Sequence, residues 1–112
     1  MGMIGKLDRM AQFRRYTEFD DGYQTVQHWA DHGHPMPVSR HDISDGERFA
    51  MGQVLSILTS RFLIRFSAFT ADLTPADRMR CDGRLWALDG IKELPDPRRA
   101  WLEITATRLP DE

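Results

Sequence analysis

The chain has 112 residues, 41% hydrophobic and 29% charged, with a formal net charge of −2 at pH 7. That is ordinary composition for one folded domain, which argues against a disordered segment and against gripping nucleic acid through a global basic excess. The lone Cys81 cannot close an intrachain disulfide, no thiol cluster suggests zinc, and no apolar run reaches the ~20 residues of a bilayer-spanning helix. The start, Met1-Gly2-Met3-Ile4-Gly5-Lys6-Leu7-Asp8, lacks the apolar middle of a signal peptide, so synthesis in a reducing cytoplasm is expected.

The first element is a predicted strand over Arg9 to Tyr16, with Ala11 and Phe13 facing inward and Met10, Gln12 and Arg14 outward. Asp20-Asp21-Gly22 is a turn signal, because Asp tolerates left-handed geometry and Gly adopts it without steric cost. Tyr23 to Trp29 follows as a second strand, favoured by Thr25 and Val26. Ala30 to Pro37 contains Gly33 and two prolines that lack a ladder donor, which predicts a loop or an edge. Val38 to Ile43 returns as a short strand.

Ser44-Asp45-Gly46-Glu47 suits the start of a helix, and Phe49, Ala50, Val54 and Ile57 fall roughly on one helical stripe that Gly52 weakens. A short helix or partly ordered loop is expected over residues 44–57. From Ser60 the pattern is that of a strand, with Phe62, Ile64 and Phe66 alternating with Leu63, Arg65 and Ser67. Thr74-Pro75-Ala76-Asp77 reads as a single helical turn. Met79 to Cys81, Asp82-Gly83 and Arg84 to Leu88 form a predicted hairpin with a two-residue turn. Asp89-Gly90 is a second turn or a bulge, Pro95-Asp96-Pro97 a loop, and Trp101 to Thr107 a last strand with Leu102, Ile104 and Ala106 on one face. The expected fold is mainly β: a small barrel- or sandwich-like domain of five to six short antiparallel strands, one or two short helices and a long central loop.

Signals for chemistry are weak. His28, His32 and His34 stand close together, but no spacing to His41 or Asp31 matches a metal motif, and solvated loop histidines are the simpler reading. No nucleophile motif or phosphate-binding glycine loop is present. Cys81, before a turn, reads as a small buried hydrophobe, and Glu18, Asp20 and Asp21 as a solvated turn. Arg14-Arg15 and Arg98-Arg99, the latter near Trp101, would suit a single-strand reader of OB type, against which the missing basic excess weighs. The expectation is a protein that is not an enzyme and needs no cofactor or metal.

The order of the motifs resembles the phage head–tail joining (head-closure or stopper) family. It is carried by Gly5-Lys6-Leu7-Asp8-Arg9, Gln12-Phe13-Arg14-Arg15, the Asp20-Asp21-Gly22 turn before Val26 and Trp29, and the run from Ser44 through Glu47, Arg48 and Phe49 to Val54. Phe62 to Phe66, Leu73 to Arg78, Asp82 to Trp86, Gly90-Ile91 and Trp101 to Ala106 complete it in order, so that it spans about Gly5 to Thr107. The stretch His32-Gly33-His34-Pro35-Met36-Pro37 departs from the pattern, where a more regular apolar strand is expected.

The resemblance implies one joining domain over residues 1–112, made in the bacterial host cytoplasm and built into the neck of a phage or gene transfer agent. Its implied partners are copies of itself in a six- or twelvefold ring, a portal-side adaptor, a tail terminator or tail tube protein, and DNA passing without sequence-specific recognition. No membrane is involved. Ser44, Asp45, Gly46, Glu47, Arg48, Phe49, Met51 and Gln53 become a candidate channel loop, and Leu63, Trp86, Trp101, Arg14 and Arg15 candidate subunit-interface residues, with Phe49 a further anchor. The alternatives are a tail terminator, a portal adaptor, or a small OB-like nucleic-acid-binding protein.

Overall fold

A computed structural model describes residues 7–43, 58–95 and 100–110. The candidate channel loop, Ser44 to Gln53 and on to Ile57, lies outside the described residues, as do Arg98 and Arg99. Seven strands follow one another as β1 (Arg9–Asp20), β2 (Thr25–Asp31), β3 (Met36–Asp42), β4 (Thr59–Arg65), β5 (Arg78–Cys81), β6 (Arg84–Glu93) and β7 (Trp101–Arg108). A short helix, α1 (Ala68–Ala71), stands between β4 and β5. Among the described residues no helix is long and apolar enough to cross a membrane.

The sheet order is β2-β1-β3-β4-β7-β6-β5, and β5 also pairs with β1. All pairings are antiparallel, so β1, β3, β4, β7, β6 and β5 form a closed ring of strands. Closure follows from the length of β1. Its first half pairs with β3 on one edge (Arg9↔Val38 to Ala11↔Met36) and with β5 on the other (Ala11↔Cys81 to Arg14↔Arg78). Its second half continues beyond the ring, paired with β2 from Arg14↔Asp31 to Asp20↔Thr25. The molecule is thus a closed ring bearing a two-stranded ribbon.

Alternation aims one side of each ring strand inward. Phe13, Val38, Phe62, Ile64, Met79, Trp86, Leu88, Ile104 and Ala106 fill the interior and leave it no bore. Each large side chain buried there contributes roughly 1.5–3 kcal/mol relative to exposure. Phe62 and Trp86 meet edge to face with centroids 5.1 Å apart, and the Trp86 indole N–H donates to the Cys81 carbonyl at 3.2 Å.

The hairpin at Asp82-Gly83 is as expected, with φ of 56° and 72°, the paired left-handed geometry of a type I′ turn. Asp89-Gly90 is a bulge within β6 and not a turn, since the register against β7 shifts between Leu88 and Gly90. The shift returns Ile91 to the side of Ile104, so the strand stays useful to the core across an extra residue.

Three expectations need correction. First, there are seven strands and not five or six, every strand segment read along the chain joining the sheet, and β2 reaches Asp31 while β3 begins at Met36, so the loop expected over Ala30 to Pro37 shrinks to residues 32–35. Pro37 fits inside β3 because it pairs only on the β1 side, opposite Met10. Second, the strand expected through Ser67 ends at Arg65, because Ser67 and Thr70 make a reciprocal cap: each side-chain oxygen accepts from the other's backbone N–H, at 3.1 and 2.8 Å. Local side-chain bonds of this kind compete with a ladder and start a helix instead. Third, Thr74 to Asp77 is a turn, closed by the Asp77 N–H to the Thr74 carbonyl at 3.0 Å, and not a helical turn.

Candidate functional site

The ribbon stands out because its strands are not enclosed. From Thr17 to Asp20 every residue of β1 is exposed, and in β2 only Val26 and Trp29 are partly covered. Its tip is stiffened by short-range bonds. The Asp21 carboxylate accepts from the N–H groups of Tyr23 and Gln24, both at 2.9 Å, and Asp20 accepts from the Gly22 N–H at 2.9 Å. The Tyr23 and Gln24 amides hold the Asp21 carboxyl below the usual carboxylate range. Gly22, at φ 95°, takes the left-handed position the turn requires. Tyr23 stands free at 96% exposure, and Phe19, opposite Val26, at 52%. On the other face Tyr16 and Trp29 meet at a tilt of 53° with centroids 5.0 Å apart, and the Arg78 guanidinium lies 4.2 Å from the centre of the Trp29 ring.

Where the ribbon leaves the ring, Arg15 binds a pair of aspartates. Its guanidinium forks onto Asp77 with both bonds at 2.8 Å, and reaches the Asp72 carboxylate at 2.9 Å and the Asp72 carbonyl at 3.0 Å. Asp77, only 3% exposed, also accepts from the Thr74 N–H at 2.9 Å. Burial alone would raise the Asp77 carboxyl, but the Arg15 bonds, the Thr74 amide and nearby positive charge outweigh it and hold the group low. Beside this pair, His32 stacks on Phe69 of α1 at 5.0 Å. Gly33, at φ 75°, brings its backbone so close that a Cβ there would lie 2.5 Å from the Phe69 ring. Gln12 donates to the Gly33 carbonyl at 3.1 Å, fastening the same loop to β1.

A second charged group closes the opposite end of the ring. Asp82, in the β5–β6 turn, accepts from Arg9 at 2.5 Å and from Arg40 at 2.9 Å. Arg40 also donates to Asp42 at 2.8 Å and lies 5.1 Å from the Trp86 ring, while Ser60 hydrogen-bonds Asp42. At this end the chain leaves the ring at Ile43, whose N–H donates to the Thr59 carbonyl at 3.0 Å. The ring is therefore filled with apolar side chains and closed at each end by ion pairs.

The candidate interface residues are redistributed by this geometry. Trp86 is no contact anchor: it is fully buried in the core. Leu63 and Trp101 point away from the core yet are only 5% and 8% exposed, Trp101 lying under the Arg65 guanidinium at 4.8 Å. Leu63 borders a groove of about 300 Å³ lined also by Ser39, His41, Arg61, Lys92 and Glu103. Arg15 is engaged within the subunit. Arg14 pairs with Asp31 at the root of the ribbon. The histidines do not converge, and among the described residues no group of three or more His, Cys, Asp or Glu is placed to hold a metal. Cys81 is buried, and that burial raises its thiol to about 11, which suits an inert core residue.

Sequence reasoning missed the acidic partners of Arg15 and the role of Phe69. The Ser67-x-x-Thr70 spacing was the available signal, since it starts the helix that carries Phe69.

What these features define is a solid β-barrel-like module with one open-edged appendage. The family model for phage head completion proteins matches residues 3–109. This chain belongs to that family of phage head–tail structural proteins. The solution structure of protein SF1141 from Shigella flexneri 2a is similar at 24% identity and a TM-score of 0.72, covering 97% of this chain and 98% of that one. A chain in the virion of a native gene transfer agent is similar at 16% identity and a TM-score of 0.58, covering 91% and 94%. No curated protein matches.

Proposed function

We propose that the protein is a head-closure subunit, a non-enzymatic joining piece that assembles with copies of itself into a ring at the head–tail junction. There it helps attach the tail and retain DNA in the channel. The family match over residues 3–109 carries this reading. The filled interior supports its geometry, because DNA could pass through a ring of such subunits but not through one of them. The fold shared with a chain of a gene transfer agent virion agrees with a place in the particle. The net charge of −2 suits a wall that surrounds DNA without gripping it. In this reading residues 44–57 are the segment that reaches the channel, between a portal-side adaptor and a tail terminator or tail tube protein.

The test is to produce particles without this protein. The expected products are filled heads without tails, whose DNA becomes nuclease-sensitive as it leaks. Tailed, DNA-retaining particles in its absence would overturn the reading. Deleting residues 44–57 alone is expected to leave tails attached but impair DNA retention.

A further inference from the structure

The ring of strands leaves few edges open, and the ribbon carries two of them. β2 pairs with β1 alone, and β1 beyond Arg14 has no partner on its β5 side among the described residues. The phase of the ladder shows which groups face out. The His32 N–H donates to the Phe13 carbonyl at 2.8 Å and the Asp21 N–H to the Gln24 carbonyl at 3.1 Å. Alternation from these bonds turns the backbone N–H and C=O groups of Arg15, Thr17 and Phe19 toward β2, and those of Tyr16 and Glu18 away from it. In β2 the same alternation turns those of Gln27 and Trp29 outward.

We propose that the ribbon joins one copy of this chain to the next, the outward edge of β2 pairing with the outward edge of β1 in its neighbour. The inference rests on the ring reading above and names the contact that builds the ring. A second copy is the partner because the two open edges lie on opposite sides of one hairpin, so every copy carries both halves of the joint. Such a contact is heterologous and repeats by rotation, as a ring requires. The strands run in opposite directions, so the added pairing continues the antiparallel order.

The ribbon lacks the two strongest guards against such pairing, though it carries Glu18 on β1. Residues 15–31 contain no proline and no lysine, the residues that commonly blunt a free edge. Continued in the hairpin's own register, the joint sets Phe19 between its own Val26 and that of the neighbour, covering a side chain that is 52% exposed in one copy. The same register sets Glu18 against Gln27 and Thr17 against His28, with no like charges opposed.

Proline at Gln27 or at Glu18 removes an outward N–H and places its ring in the path of the partner strand, while breaking no bond of the ribbon's own ladder. Native mass spectrometry of the full chain should show rings for the wild type and monomers for Gln27→Pro and Glu18→Pro. An equal mixture of the two variants should stop at dimers, since it retains a single competent joint. Rings from either variant alone, or a mixture that stays monomeric, would overturn the edge contact while leaving the ring reading in place. A wild type that never assembles would overturn both. Should a variant lose its circular dichroism melt, hydrogen exchange on the assembled wild type decides: the Gln27 and Glu18 amides should be protected in rings and free in monomers, and fast exchange in rings would overturn the contact.

Discussion

The two ends of the barrel are closed by the same chemistry in different surroundings. At the ribbon end, Arg15 forks onto an Asp77 that is almost wholly buried, backed by Thr74 and flanked by the Phe69–His32 stack. At the other end, Arg9 and Arg40 share Asp82 in an exposed turn, and Arg40 reaches Asp42, both carboxylates being more exposed than Asp77. Breaking a charge pair on one side costs more where the groups left behind are shielded from water. The ribbon end is therefore the one anchored on a buried carboxylate, a suitable root for a lever that must hold its angle if it joins copies. The other end, from which the chain departs at Ile43, is closed on carboxylates that are more open to solvent.

If the ends were equivalent, removing an aspartate from either would cost the same. Asp77→Ala removes the forked bonds of Arg15, leaving it only Asp72, and orphans the Thr74 amide, and should destabilise by about 3 kcal/mol, read as a large fall in melting temperature. Gly33→Ala attacks the same root through the backbone. Its positive φ and the nearby Phe69 ring should cost about 2 kcal/mol together, with partial relief expected in a Gly33→Ala, Phe69→Leu double variant. At the opposite end Asp82→Asn should cost about 1 kcal/mol or less. A cost for Asp82→Asn equal to that for Asp77→Ala would erase the distinction.

Acid sharpens the same contrast. The folded-state carboxyl of Asp77 is held below its unfolded value, so its stabilising share is present above the ordinary carboxylate range and is lost as pH falls through the lowered value. Asp42 and Asp82 are lowered as well, against the cost of their burial, by their bonds to arginine. Melting temperature should therefore drop below about pH 4, and less steeply in Asp77→Asn than in the wild type. The smallest effect concerns Cys81: buried, with its thiol raised to about 11, it should resist thiol reagents at neutral pH until the protein unfolds.

Much of this architecture was legible in the sequence where a signal is local. The Asp82-Gly83 hairpin, the inward sides of β1 and β7, and the Asp20-Asp21-Gly22 tip all follow from turn chemistry and two-residue alternation. What escaped is non-local. Nothing near Arg15 in sequence announces Asp72 and Asp77, which lie 57 and 62 residues on, in the segment leading into β5, the neighbour of β1 in the ring. Trp86 was legible as large and apolar, but only the closed ring decides that it is core and not interface. Of the histidines read as solvated, His32 is largely covered, because its ring stacks on Phe69, a partner distant in sequence. The open edges of the ribbon depended on knowing where β1 outruns its partners, which strand lengths alone do not give.

The most direct test of the account is cryo-electron microscopy of the intact particle's neck with this subunit traced. The expected result is a ring of copies around the channel between portal and tail, with filled barrel-like modules in the wall and β2 of each copy beside β1 of the next. Absence of the chain from the neck would contradict the head-closure reading itself.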